Sequence, residues 1–363
     1  MLMRRCLVVA ALLMGLTPPL TGESRADTAW ALRMARDFVQ AQRDTRGKDV
    51  KIALVGDGVA SGVRPLRGAV KKEKDFVRTP RAKRNIGTLM ASLIVGGATE
   101  DGLLKLRGLL PSATILPVRV YAAPDEPGGK EWWKTVNWGN SIGDGVRYAA
   151  DQGADVIAVE PFAFGGGGYR NGEGVDGTRS AIAYARSKNA VVVAPSGDQR
   201  PNDPSYPAAA PGVIGVGGVT EQGRRAKKWT SSSSAVFVAA PSFEMPATGY
   251  DNRLWTFKGD PVALAFATAA VAMLKSKYRR LTPAQIGEAL SASARRPAGK
   301  RRYDTELGFG YVNPAGALDN AHRIANRPGL AMTATPSVPD TAGLGGDRPG
   351  PIKAAPYDPV RKC

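Results

Sequence analysis

Short runs of apolar residues alternate along this chain with stretches whose apolar positions recur every three or four residues. The runs are Lys51–Val55, Ala113–Val120, Asp155–Val159, Ala190–Ala194, Val213–Val219 and Val236–Ala240. The helical stretches include Trp30–Val39, Ser141–Asp151, with Ile142, Val146 and Ala149 on one face, and Thr178–Lys188. A strand that is apolar throughout is buried on both faces, and alternation with helices places those helices on both sides of a parallel sheet. The pattern predicts an α/β fold of three layers, a mainly parallel central sheet between helices. Two later helices carry start signals. Asp260-Pro261 precedes the apolar stretch Val262–Leu274 and predicts an N-cap followed by proline at the first helical position. Thr282-Pro283-Ala284-Gln285 has the spacing of a capping box.

The two ends of the chain differ from the middle. Arg4 and Arg5, the apolar run Leu7–Leu16 and Ser24-Arg25-Ala26 read as a cleaved secretory leader over residues 1–26. That run is too short to span a bilayer comfortably, and the alternative reading is an uncleaved anchor. Over residues 328–363, Pro336, Pro339, Pro349, Pro351, Pro356 and Pro359 sit among Gly, Ala and Thr without periodicity, so the segment is expected to be a disordered tail. One folded domain, residues 27–327, lies between them.

Composition removes several classes of chemistry. The chain has 363 residues, 43% of them hydrophobic, which is ample for a large core. It has one histidine, His322, and two cysteines, Cys6 and Cys363. Multi-histidine metal sites and CxxC-type sites are therefore excluded. The acidic residues form no calcium-loop pattern, and Gly165–Gly168 lacks the Lys-Ser/Thr ending of a phosphate loop. No cofactor or metal is expected. A net charge of +18 attracts polyanions, for an exported protein an acidic envelope polymer or an acidic protein. Much of the charge lies in Arg64, Arg67, Lys71, Lys72, Lys74, Arg78, Arg81, Lys83 and Arg84, read either as an acidic-partner surface or as solvated loops. Aromatic residues are not interleaved with them, so nucleic acid is not favoured. Trp132, Trp133 and Trp138 fall in a polar segment, Ala122–Ser141, expected to be a loop. They either anchor a partner or fold back onto the core.

Six segments in order resemble the subtilisin-like serine peptidases. Lys51-Ile52-Ala53-Leu54-Val55-Gly56-Asp57-Gly58-Val59 is similar to the strand that in that family ends in Asp-Thr-Gly-Val. Asn85-Ile86-Gly87-Thr88-Leu89-Met90-Ala91 stands where the family has His-Gly-Thr and a helix. Gly108–Val120, Asp203–Ala209, Pro211–Gly217 and Leu307–Asn313 match further segments. The opening Trp30-Ala31-Leu32 and the closing segment resemble those of mycosins, the subtilases associated with type VII secretion.

The resemblance implies a peptidase scaffold without its chemistry. Family members activate a serine through a histidine that an aspartate orients. The matching positions here are Gly56 for aspartate, Ile86 for histidine and Pro261 for serine. Asp57 is adjacent to the first, but one step along a strand turns a side chain to the other face. The oxyanion asparagine corresponds to Asp198. A carboxylate there would repel developing negative charge, and loss of even a neutral donor costs roughly 3 to 4 kcal/mol. Glu160-Pro161-Phe162 stands where the family's Ser-Leu-Gly edge pairs with substrate, and Pro161 removes a main-chain donor.

Three functions follow as expectations. The first is an exported or envelope-associated pseudoprotease that binds a protein or peptide partner in secretion or envelope processing. Its candidate contacts are Trp132, Trp133, Trp138, Glu160 and Phe162. The second is a divergent serine endopeptidase with a relocated site, Ser196 with Asp57 or Asp198. The third is a polyanion-binding envelope protein.

Overall fold

The computed structural model describes residues 29–80, 82–97, 107–136, 138–160, 175–197, 206–297 and 302–327. Residues 1–26, expected to be a leader, residues 328–363, expected to be a tail, and Arg81, Phe162, Gly165–Gly168 and Asp198 lie outside the described residues, as does the side chain of Trp138.

Seven parallel strands form the sheet: β1 (Lys51–Gly56), β2 (Lys74–Asp75), β3 (Thr114–Arg119), β4 (Val156–Val159), β5 (Val191–Pro195), β6 (Ile214–Val219) and β7 (Val238–Pro241), in the order β2-β3-β1-β4-β5-β6-β7. The helices are α1 (Ala29–Asp44), α2 (Asn85–Val95), α3 (Gly129–Thr135), α4 (Trp138–Asp151), α5 (Val175–Ser187), α6 (Asp260–Lys277), α7 (Pro283–Ser293) and α8 (Pro314–Ala325). A hairpin of β8 (Met245–Thr248) and β9 (Leu254–Phe257) precedes α6.

Strand alternation divides the core into two layers. Ile52 and Leu54 of β1 face a cluster built with α1, α2, α6, α7 and α8, whereas Ala53 and Val55 face α4 and α5. The centre of the first layer is α6, in which every residue from Val262 to Lys275 is buried. A helix that is apolar all round can only be an interior one. Phe266 meets Phe38 of α1 edge to face, with ring centroids 5.3 Å apart. Lys275 closes the far end of α6; burial lowers its pKa to about 8, and its Nζ donates to the carbonyls of Asn189, Arg279 and Leu281.

Two sequence expectations need correction. The residues around Trp132 are helical rather than a loop, because α3 lays its tryptophans on Tyr121 at the end of β3. The cap of α6 is Gly259, and Asp260 is its first helical residue. Asp260 Oδ1 accepts from the Thr230 hydroxyl at 3.0 Å. The capping box at Thr282 and Gln285 is present as expected.

Candidate functional site

Connections from β1 run outward in both directions, since β1 lies between β3 and β4. In open α/β sheets this switch point opens a crevice beyond the carboxyl ends of the strands. Gly56-Asp57-Gly58 leaves β1 there, Val120 and Tyr121 leave β3, and Glu160 leaves β4.

Carboxylates occupy the turn after β1. Glu160 Oε2 accepts from the N–H of Asp57 at 2.9 Å, and Glu73 Oε2 accepts from the N–H of Val59 at 3.0 Å. Asp57 reaches across to the start of α2, where Oδ2 accepts from Ile86 N–H at 2.9 Å and Oδ1 from Gly87 N–H at 2.8 Å. Those are two of the donors a helix start leaves unpaired, so Asp57 caps α2 from a different element. Glu73 is in turn held by Arg84, whose Nη2 donates to Oε1 at 2.7 Å.

The space above Gly56 is filled. A Cβ at that position would lie 1.8 Å from Glu160 Oε2 and 2.0 Å from Glu160 Cδ. Any side chain at residue 56 would have to displace Glu160. The sequence expectation that Glu160 contacts a partner is thereby corrected. Glu160 is 3% exposed and points into the protein, because its acceptor oxygen is needed by the Asp57 amide.

Around the turn, the other residues singled out from sequence are scattered in role. Ile86 is half-buried and packs against the larger core cluster, and Pro261 is half-buried in the first turn of α6. Ser196 is fully buried, and its Oγ has no hydrogen-bond partner among the described residues. His322 is exposed on α8 beside Tyr278 and Asn326. Trp132 and Trp133 are half-buried; with Tyr121 they form a cluster of edge-to-face rings 5.8 to 6.2 Å apart, and Trp133 Nε1 donates to Ala122 O at 2.8 Å. Burial, with Asp57, Asp125 and Glu126 nearby, pushes the Tyr121 hydroxyl up to about 12.

The basic run splits into two populations. Arg64, Arg67, Lys71, Lys72 and Arg78 are exposed, and Lys74 lies over the Phe76 and Tyr148 rings. Lys83 pairs with Asp125 at the surface, and Arg84 pairs with the largely buried Glu73. A residue the sequence did not single out is Arg119, at the end of β3. It is fully buried and bridges Asp75, Thr79 and Glu126. Among the described residues no group of three His, Cys, Asp or Glu side chains is placed to hold a metal ion.

Comparison with known proteins places this geometry. Residues 47–310 match the model of the subtilase family, peptidase S8. Thermitase of Thermoactinomyces vulgaris is 30% identical over 267 residues, which cover 73% of this chain and 88% of thermitase. Mycosin-1 of Mycolicibacterium smegmatis is 26% identical over 374 residues, covering 91% of this chain and 80% of the mycosin. The crystal structure of MycP1 from Mycobacterium smegmatis superposes with a TM-score of 0.62 at 25% identity, covering 83% of this chain and 87% of that one. Fervidolysin from Fervidobacterium pennivorans shares the fold with a TM-score of 0.64 at 23% identity, over 84% of this chain and 48% of that one.

Proposed function

We infer, from the premise that the chain belongs to the subtilase family, that it is a pseudoprotease of that family, which binds a protein or peptide partner without cutting it. The observation that carries this reading is the exchange between Gly56 and Glu160. The residue matching the family's aspartate has no side chain, and the room for one is taken by a carboxylate from β4 that serves the Asp57 amide.

The remaining positions agree with it. A serine nucleophile needs a base to accept its proton. Ile86 has no group that can do so, and Pro261 has neither a hydroxyl nor the N–H that would point at an oxyanion. The chain's single histidine is exposed on α8. The buried Ser196 does not favour a relocated nucleophile.

An exported or envelope location is supported by the leader-like residues 1–26 and by the mycosin relatives, one of which is described as an essential component of the type VII secretion system. The exposed residues Arg64, Arg67, Lys71 and Lys72 are the face we assign to an acidic partner. Attraction of that kind is screened by salt. Binding of an acidic polymer should weaken steeply as salt is raised, and substitution of Lys71 and Lys72 by Gln should flatten that dependence. Unchanged salt dependence would remove this face from the account. Hydrolysis is tested with an unfolded protein substrate, beside thermitase at equal concentration. The purified chain is expected to cleave no faster than buffer, and cleavage above that background would overturn the reading.

A further inference from the structure

Asp57 and Glu160 are buried side by side where the ends of β1 and β4 meet the start of α2, and no cation among the described residues is paired with either. Asp57 is 9% exposed and Glu160 3%. Asp57 spends both oxygens on the N–H groups of Ile86 and Gly87, which favours negative charge on that side chain. Glu160 gives Oε2 to the Asp57 amide, whereas its Oε1 is buried with no donor among the described residues. A Cβ at Gly87 would lie 2.6 Å from Glu160 Oε1 and 3.1 Å from Asp57 Oδ1, so these two oxygens crowd one spot. The neighbouring cations are committed elsewhere: Arg84 holds Glu73, and Arg119 holds Asp75 and Glu126. Two ionised carboxylates would repel each other strongly in such a site, whereas one proton between them turns repulsion into a hydrogen bond.

We infer that Asp57 and Glu160 carry a single proton between them, held on Glu160, and that this proton is the clasp joining β1, β4 and the first turn of α2. The clasp is independent of whether the chain hydrolyses anything. Neither group is open enough to reach a substrate, so the pair acts on the shape of the crevice rather than on a bond within a ligand.

Burial pushes Glu160 well above the ordinary glutamate value of 4.5, and the charge on Asp57 pushes it further. Burial raises Asp57 as well, opposed by the N–H groups of Gly87 and Ile86. The other titratable groups facing the pair are Glu73, whose charge also raises Glu160, and Tyr121, which is raised in part by Asp57. The folded chain thus keeps a proton that the unfolded chain releases above about pH 4.5. The stabilisation is fully present below that value and is lost as pH rises through the folded value of Glu160.

Glu160→Gln tests this, because the amide keeps the shape and supplies a permanent donor toward Asp57. Wild type and variant are expected to unfold alike near about pH 5. As pH rises above about 4.5, the wild-type folding equilibrium should weaken relative to the variant, by up to about tenfold per pH unit while folded Glu160 still holds its proton, and level off once Glu160 ionises. At the higher pH the Ile86 and Gly87 amides should exchange faster in the wild type. Parallel stability curves for the two chains would overturn the inference. Should the variant fail to fold, infrared spectra of the wild-type chain with and without carbon-13 glutamate decide the matter. A protonated glutamic acid band at neutral pH is the expected result, and its absence would sink the proposal.

Discussion

A methyl group at residue 56 is the smallest probe of how the turn after β1 is built. Gly56→Ala drives a carbon into Glu160 Oε2, which cannot retreat without releasing the Asp57 amide. Overpacking of this kind costs about 1–3 kcal/mol, and urea denaturation should read a loss in that range. The same substitution in a Glu160→Ala background should cost less, because the obstacle is gone. Equal costs in the two backgrounds would mean that residues 56 and 160 do not interact. Only half of this was legible in the sequence. The glycine, isoleucine and proline stand in segments whose order resembles a known family. The role of Glu160 was hidden, because its relation to Gly56 exists only once β4 is laid beside β1. Read as a string, Glu160-Pro161-Phe162 looked like an exposed edge, whereas the carboxylate turns inward to meet a backbone donor.

At the scale of elements, the strands buried on both faces were readable because they are apolar throughout, and their observed limits lie within two residues of those expected. The elements that escaped are half-exposed or very short. β2 is the polar pair Lys74–Asp75, held by pairing with β3, and β9 exposes Leu254 and Thr256. Neither carries a hydrophobic period. Local chemistry was more reliable where it is self-contained, as in α7. There the Thr282 hydroxyl accepts from the Gln285 N–H at 3.3 Å and Gln285 Oε1 accepts from the Thr282 N–H at 2.9 Å. Thr282→Ala is expected to cost about 1 kcal/mol, measured as a lower denaturation midpoint at unchanged slope. At α6, by contrast, the helix starts one residue earlier than expected, with Gly259 as its cap and Asp260 Oδ1 accepting from the Thr230 hydroxyl.

At the scale of the whole molecule, the chain has the subtilase fold, and the reading proposed above is of a centre filled by groups other than a catalytic triad. The parallel sheet between helices matches that of subtilisin-like structures, and α6 runs through the core. At the carboxyl ends of the strands Ile86 packs on the core, and Asp57 and Glu160 accept from backbone N–H groups. On that reading the scaffold presents surfaces such as the exposed lysines beside β2 and activates no nucleophile. The most direct test exposes the full chain to a serine-reactive fluorophosphonate, with thermitase as the labelled control, and locates any adduct by mass spectrometry. The account predicts no adduct on any serine under conditions that label thermitase fully. Stoichiometric labelling of one serine would contradict it and would identify a nucleophile this centre is argued not to contain.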